Sequence, residues 1–240
     1  MRMPLILAIE TSSELASAAL LRGDTLLVRE SSGVQTHSQT LLPMVQSVLA
    51  QADVRLSQCA AIAFGAGPGA FTGVRTACGI AQGLAFGANL PVVSIVTLLA
   101  MAAACRAETG AHDVLAVLDA RMGEVYWAQY SYADGWQTVV APTLSAVADV
   151  VPQHKDGLVA CGNGFAAYPG EFEHQAQIHP SLRQARAEVM PHAAQVAYLA
   201  RCAFAAGRIL TPEQAQPIYL RNKIALTIDE RLAIKLGAAK

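Results

Sequence analysis

Charge is scarce in this chain, and lysine is missing from its first half. Only 15% of the 240 residues are charged, and 17 Lys and Arg against 18 Asp and Glu leave a net charge of −1. No lysine lies between Met1 and Gln153. The total charge therefore provides no general attraction to nucleic acid or lipid, and a P-loop with its phosphate-binding lysine is excluded over that stretch.

Closely spaced metal-binding or disulfide-forming residues are also lacking. The five cysteines are far apart, the closest pair being Cys59 and Cys78, so neither a disulfide framework nor CxxC spacing is present. We expect a reducing, cytoplasmic environment. HxxxH, HExxH and GxSxG patterns are absent as well, which predicts no resident metal and no hydrolase nucleophile elbow.

One long uncharged run, from Thr76 to Cys105, has to be weighed as a membrane span. Glycines, Asn89 and Pro91 interrupt it, so a buried helix, a turn and a buried strand explain it better. The apolar stretch at the start of the chain is too short for a secretory signal. We expect no association with a membrane.

Hydrophobic patterning indicates that one structural plan occurs twice. Alternating residues predict three strands, a helical pattern follows, and a fourth strand leads into glycines. We divide the two copies near 107–112, predicting lobes at 1–108 and 109–240, with a C-terminal segment able to pack back on the first lobe. A loop-like stretch to Met190 and a helix at His192–Ala206 follow the second copy. The first copy comprises Leu5–Thr11, Leu15–Arg22, Thr25–Glu30, Thr40–Ala52 and Ala60–Gly69; the second comprises Val114–Asp119, Val125–Tyr132, Trp136–Val140, Leu144–Val151 and Leu158–Gly164.

The strongest local motif is the glycine-rich segment 65–73, GAGPGAFTG, between a predicted strand and a predicted helix. Glycines such as Gly67 and Gly69 permit close backbone approach, and amides at a helix start can hold an anion. The spacing matches neither GxGxxG nor a P-loop. A structural turn and a phosphate or partner contact both remain open.

Two helical patterns carry few polar residues. Val74–Ala88 is apolar nearly all round, so it must be covered on several sides. Thr40–Ala52 is the obvious neighbour; Pro43 should begin or kink it. Packed together, the two helices leave an apolar outer surface, which predicts a subunit interface; the alternative is that both fill one core.

Candidate catalytic groups are few. Glu10 and Asp119 end equivalent strands, where α/β folds place ligand-binding groups, although turn or cap roles are common there. Gly162 and Gly164 could lie under an adenine or ribose, or form a plain turn. The basic residues from 221 to 240 suit a solvated helix face or an RNA contact.

Several blocks together resemble the TsaB (YeaZ) family of tRNA-modification proteins. They are LAIETSS (7–13), THSQTLLP (36–43), GAGPGAFTGVRTACGIAQGLA (65–85), LDARMGEVYWAQY (118–130) and PIYLRNKIA (217–225). The resemblance implies a duplicated actin-like ATPase (ASKHA, ribonuclease H-like) α/β fold, with two lobes that each contain a mixed sheet flanked by helices. It also implies a role in transferring threonylcarbamoyl to N6 of the adenosine beside the anticodon in tRNAs reading codons that begin with A.

In that family the subunit is non-catalytic and activates its paralogue TsaD by heterodimerisation, with the ATPase TsaE joining the pair. The resemblance implies that metal and nucleotide are bound by the partners, that this chain needs no cofactor, and that tRNA contact is indirect. It places partner contacts on Leu41, Leu42, Val45, Leu49, Ile80, Gly83 and Leu84.

Departures from an active actin-like ATPase favour the scaffold interpretation. The first turn, Glu10-Thr11-Ser12-Ser13, has no glycine, and only His37 stands where TsaD has its HxxxH pair. A vestigial nucleotide cleft is expected at Glu10, Thr11, Gly67, Gly69, Asp119, Gly162 and Gly164. The alternative is an independent actin-like ATPase, small-molecule kinase or peptidase. We further expect the isolated chain to form a homodimer through the same helices.

Overall fold

The computed structural model describes residues 3–32, 37–153 and 156–221, which form two mixed sheets with helices packed on their faces. The strands are β1 (Leu5–Glu10), β2 (Leu15–Arg22), β3 (Thr25–Ser32), β4 (Ala61–Gly65), β5 (Val92–Ile95), β6 (Asp113–Arg121), β7 (Glu124–Tyr132), β8 (Trp136–Ala146) and β9 (Val159–Cys161). The helices are α1 (His37–Gln51), α2 (Phe71–Ala88), α3 (Thr97–Thr109), α4 (Gly164–Ala167), α5 (Pro169–Ile178) and α6 (Ala193–Ala205).

The two sheets share one topology over four strands, which confirms the strand order of the predicted duplication, and β5 extends the first sheet. The first has the order β3-β2-β1-β4-β5 and the second β8-β7-β6-β9. In each, three strands form an antiparallel meander and a fourth strand pairs in parallel with the first strand of that meander. Parallel pairing of β1 with β4 places the ends of both strands at one edge, beside the start of α2.

Burial explains why β1 has no alternating pattern. Every residue of Leu5–Glu10 is buried, because helices cover both faces of the first sheet. Leu7 and Ile9 pack towards α1 and α2, whereas Ile6 and Ala8 pack towards α6. Helix α6 therefore follows the second sheet in the chain but covers the first, and the lobe boundary at 108 and 109 stays a prediction.

Three sequence-based predictions need correction. Leu144–Val151 is not a helix: β8 continues to Ala146, and a 3-10 turn spans Val147–Asp149. The stretch before Met190 is not all loop, because it contains α4 and α5. Of the two roles predicted for Pro43, beginning the helix is wrong, because α1 starts at His37 and Pro43 lies inside it.

The uncharged run from Thr76 to Cys105 becomes most of α2, the short strand β5 and much of α3. Over residues 3–32, 37–153 and 156–221, no helix is long and apolar enough to cross a bilayer. The run is apolar because its side chains fill the cores on either face of the first sheet and under the second.

Candidate functional site

The turn after β1 packs directly against the first turn of α2. The Thr11 hydroxyl donates to the Gly73 carbonyl at 2.7 Å, and the Ala70 amide donates to the Ser12 carbonyl at 2.7 Å. A Cβ on Gly73 would lie 1.8 Å from the Thr11 oxygen, and one on Gly69 would lie 2.5 Å from the Ser12 oxygen. The glycines of this motif are therefore required for close packing of the turn on the helix.

This packing decides whether the glycine loop can hold phosphate. An anion at the start of α2 would lie where the main-chain oxygens of Thr11 and Ser12 are found, and two carbonyl oxygens repel an anion. Gly67 is also engaged: its amide donates to Thr97 Oγ1 at 3.0 Å. The residues present do not fit a bound phosphate at this position.

Glu10 lies beneath the same loop and is fully buried. Its Oε1 accepts hydrogen bonds from the amide and hydroxyl of Ser12, whereas Oε2 is buried without a hydrogen-bond partner among the described residues. Burial raises the pKa of this carboxyl, and the hydrogen bonds from Ser12 oppose the shift only in part. The carboxyl packs on Gly65, where a Cβ would overlap it.

Asp119, the equivalent acid of the second lobe, caps a turn. Its Oδ1 accepts from the Arg121 amide at 2.7 Å and from the Tyr168 hydroxyl at 3.0 Å, and Oδ2 pairs with the Arg121 guanidinium at 3.1 Å. Arg121 and Met122 have positive φ values of 63° and 61°. The carboxylate thus stabilises a strained hairpin, which is the turn role left open by the sequence.

The second glycine cluster is packed as tightly as the first. A Cβ on Gly162 would lie 2.2 Å from the Val117 carbonyl oxygen, and one on Gly164 would lie 2.7 Å from Val117 Cγ1. Between them, Asn163 accepts a hydrogen bond from the Asp119 amide at 2.9 Å. These residues hold β9 and α4 against β6.

A cavity of about 420 Å³ separates the two lobes. Both lobes contribute to its lining, which includes Ser13, Gly69, Phe71, Asp119, Asn163 and residues 218–221. It therefore gathers two of the seven predicted cleft residues, Gly69 and Asp119, whereas Glu10 and Thr11 lie beneath the turn, outside the lining. No group of three His, Cys, Asp or Glu side chains is placed to bind a metal within the described part of the chain.

Helices α1 and α2 pack side by side on the first sheet, and the predicted partner residues divide between core and surface. Leu41 and Val45 are buried in the core, Leu49, Ile80 and Leu84 are half-buried, and Leu42 and Gly83 are exposed. Core filling and an outer face thus coexist on the same two helices. The interface assignment itself stays a prediction.

Phe86 is a surface residue that the sequence-based site did not include. It is 74% exposed, which makes it the most exposed large hydrophobic residue among those described. Apolar residues occur on every side of α2, so the sequence pattern did not show that Phe86 would be the exposed one. Its neighbours Gly79, Gly83 and Gly87 would each accept a Cβ with no atom within 4 Å, so this side of the helix is open.

The C-terminal segment contributes a second feature, its contacts with the first lobe and with the β6–β7 hairpin. The Ile218 amide donates to the Ala66 carbonyl at 2.7 Å, and Gln82 donates to the Ala215 carbonyl at 2.8 Å. Arg221 then reaches the second lobe, donating to Glu124 Oε2 and to the Ala120 carbonyl. The segment therefore crosses from α2 to the β6–β7 hairpin. The basic stretch predicted to follow it, from 222 onward, lies outside the described residues.

Comparison with known proteins gives consistent results. The family model for TsaD, tRNA N6-adenosine threonylcarbamoyltransferase, matches residues 28–222. An Escherichia coli K12 protein described as tRNA threonylcarbamoyladenosine biosynthesis protein TsaB is 38% identical over 227 residues, covering 92% of this chain and 96% of that protein. A Haemophilus influenzae protein of the same description is 38% identical over 230 residues, covering 91% and 94%.

A solved structure extends the similarity to three dimensions. YeaZ from Pseudomonas aeruginosa superposes with a TM-score of 0.81 at 37% sequence identity, covering 91% of this chain and all of that chain. Together with the duplicated sheet topology, this match confirms the predicted actin-like, two-lobed α/β fold.

Proposed function

Because this chain belongs to the TsaB (YeaZ) family and takes part in tRNA threonylcarbamoyladenosine biosynthesis, we propose that it is the non-catalytic subunit that activates a TsaD partner. In this proposal TsaD performs the transfer of the threonylcarbamoyl group to N6 of the adenosine beside the anticodon. TsaE joins the pair, and tRNA contacts this chain only through the complex. A role on tRNA also fits a cytoplasmic protein.

One observation carries the non-catalytic part of the proposal. The Ser12 carbonyl accepts the Ala70 amide at the start of α2, where an actin-like enzyme would need room for phosphate. Asp119, which could otherwise act as a base or a metal ligand, is already bound to Arg121 and Tyr168. We infer that metal and nucleotide are held by the partner subunits and that this chain needs no cofactor.

The partner-binding part is supported by the outer face of α1 and α2. Leu42 and Phe86 are exposed apolar residues, and the glycines on α2 leave space for another helix to approach closely. Exposed apolar surface of this kind is typical of protein interfaces. The same face would allow the isolated chain to form a homodimer.

Light scattering after size exclusion, on the chain alone and mixed with its cognate TsaD, tests this function. We expect a self-dimer that converts to a one-to-one complex. Gly83→Arg should abolish the complex while the chain stays folded, because it places a long charged side chain on the contact face. Gly135→Arg is the matched control: Gly135 lies in the exposed β7–β8 turn with no atom within 4 Å of its Cβ position.

Three results would overturn the proposal. One is a Gly83→Arg variant that binds TsaD as the wild type does, and another is a wild-type chain that does not bind TsaD. The third is ATP turnover by the isolated chain that disappears in Glu10→Gln and Asp119→Asn, which would favour the independent ATPase or kinase.

A further inference from the structure

A single outward stripe of α2 combines a cation, three glycines and an aromatic ring. Arg75, Gly79 and Gly83 follow one another at four-residue spacing, and Phe86 and Gly87 complete the stripe. All five are exposed. At 1.5 Å per residue, Arg75 and Phe86 lie about 16 Å apart along the helix axis, with the open glycine surface between them.

Arg75 is held in place by two aromatic side chains. Its guanidinium carbon lies 3.7 Å from the centre of the Phe71 ring, and its Nε donates to the Tyr219 hydroxyl at 2.7 Å. The Phe71 and Tyr219 rings pack at 5.8 Å between centres. Neither terminal nitrogen of Arg75 has a partner among the described residues, so a fixed guanidinium fork remains available for a ligand.

The charge of Arg75 is not balanced on this face. Helix α1 contains no charged residue, and Arg75 is the sole charged residue of α2. A second copy of the chain, packed through the same two helices, would therefore bring no carboxylate from either helix to Arg75. A different partner can supply one.

We propose that Arg75 binds a carboxylate side chain of a partner helix that packs on the glycine stripe, and that this contact favours the complex with the partner over self-association. The proposal rests on the function proposed above, because it assigns the partner to this face. Arg and carboxylate groups pair through two parallel hydrogen bonds. A fork already held by Phe71 and Tyr219 loses little conformational entropy when it binds.

An RNA phosphate is the competing ligand for an exposed arginine, and the rest of the stripe argues against it. Backbone recognition of RNA uses several cations together, whereas α1 and α2 provide one between them. Glycines at four-residue spacing allow two helices to approach closely, and the exposed Phe86 ring provides an apolar anchor for the same contact. A partner helix therefore fits the single cation, the glycines and the exposed ring.

The test measures the dissociation constant for cognate TsaD and, separately, the self-dimer constant by sedimentation. Arg75→Ala should weaken TsaD binding about tenfold or more, as expected for a buried charge pair, and leave the self-dimer constant unchanged. Arg75→Lys, which keeps the charge but loses the fork, should recover only part of the affinity. Tyr219→Phe removes the hydroxyl that positions Arg75 and should weaken TsaD binding about threefold, with no additional effect in the Arg75→Ala background.

Arg208→Ala, in the exposed segment after α6, controls for the general loss of one positive charge and should bind like the wild type. The inference fails if Arg75→Ala binds TsaD as the wild type does. It also fails if the substitution weakens TsaD binding and self-dimerisation equally, because Arg75 would then stabilise the contact face in general and would not recognise the partner. It also fails if Arg75→Ala reduces tRNA binding with TsaD affinity unchanged. If Gly83→Arg loses TsaD binding and Arg75→Ala does not, the proposed function stands and only the role of Arg75 is wrong. If the wild-type chain does not bind TsaD, both the proposed function and the role of Arg75 are wrong.

Discussion

The Ser12 carbonyl accepts a hydrogen bond from the Ala70 amide at 2.7 Å, joining the turn after the first strand to the start of α2. The contact occupies an amide at the helix start that could otherwise donate to an anion. It also brings Thr11 and Ser12 so close to the helix that only glycine fits at positions 69 and 73. The glycine motif is thus explained by packing between two backbone segments.

This close packing predicts opposite effects for two glycine substitutions in the same helix. Gly73→Ala should lower the free energy of unfolding by about 3 kcal/mol, because its Cβ would lie 1.8 Å from the Thr11 carbonyl oxygen and the backbone must shift. Gly79→Ala should raise it by about 0.5–1 kcal/mol, since its Cβ meets no atom and alanine favours helix. Urea unfolding of both variants measures the difference.

Equal destabilisation by the two substitutions would contradict this account of the helix start.

Gly79→Ala also tests partner binding, because its added methyl lies on the proposed partner face. A variant that is more stable yet binds TsaD more weakly would separate the role of Gly79 in binding from any role in folding.

Glu10 predicts a pH dependence of stability. Its pKa is raised above 4.5 by burial, so the folded protein binds the proton more tightly than the unfolded chain. The favourable contribution of Glu10 to the free energy of unfolding is complete below pH 4.5. It is lost as the pH rises through the pKa that Glu10 has in the folded protein. Glu10→Gln removes the buried charge and should gain stability relative to wild type as the pH increases, by about 1.4 kcal/mol for each unit that the pKa is raised.

Chemical denaturation of wild type and Glu10→Gln at pH 4.5 and pH 8 tests this sign. The difference in free energy of unfolding, variant minus wild type, should be larger at pH 8. A difference that is constant or smaller at pH 8 would mean that Ser12 stabilises the carboxylate enough to cancel the burial effect.

His192 predicts the opposite trend. Burial lowers the pKa of its imidazole below 6.5, against the attraction of Glu30, and its Nδ1 accepts the Ala194 amide at the start of α6. The neutral ring is therefore the stabilising form. Its contribution is complete above pH 6.5 and is lost as the pH falls through the folded pKa.

His192→Asn supplies an oxygen acceptor for the helix start in place of Nδ1 and removes the titration. Between pH 7.5 and pH 5 the wild type should lose more stability than this variant, by about 1.4 kcal/mol for each unit that the pKa is lowered. Parallel pH profiles of the two proteins, measured by thermal unfolding, would contradict the prediction.

The elements that could be predicted from sequence are those whose periodicity reflects local burial. The three strands of each meander lie close to their predicted bounds, and Ala193–Ala205 agrees with the helix expected at His192–Ala206. The helix predicted at Leu144–Val151 failed because β8 pairs with β7 as far as Ala146, a long-range contact that overrides local helix preference. Helix α5 was missed because few of its residues are buried.

In the candidate site, too, local features could be predicted from sequence, whereas features that depend on long-range contacts could not. Glycine spacing indicated a close backbone approach, but the atoms approached, the carbonyls of Thr11 and Ser12, become neighbours of Gly69 and Gly73 only in the fold. The contact between Arg75 and Tyr219 joins residues 144 positions apart. No local pattern encodes such a pair, so the positioned guanidinium could not be predicted.

Asp119 separates the scaffold interpretation from the enzyme alternative. If the carboxylate stabilises the hairpin, Asp119→Ala should lower the free energy of unfolding by about 1–3 kcal/mol, because it leaves the Tyr168 hydroxyl and the Arg121 amide without their acceptor. Asp134→Ala, in the exposed β7–β8 turn, is the control and should change stability by less than about 0.5 kcal/mol. Complex formation with TsaD should survive both changes, because neither residue lies on α1 or α2. An Asp119→Ala variant of wild-type stability that loses an ATP-dependent activity of the isolated chain would show that the carboxylate serves chemistry and not the turn.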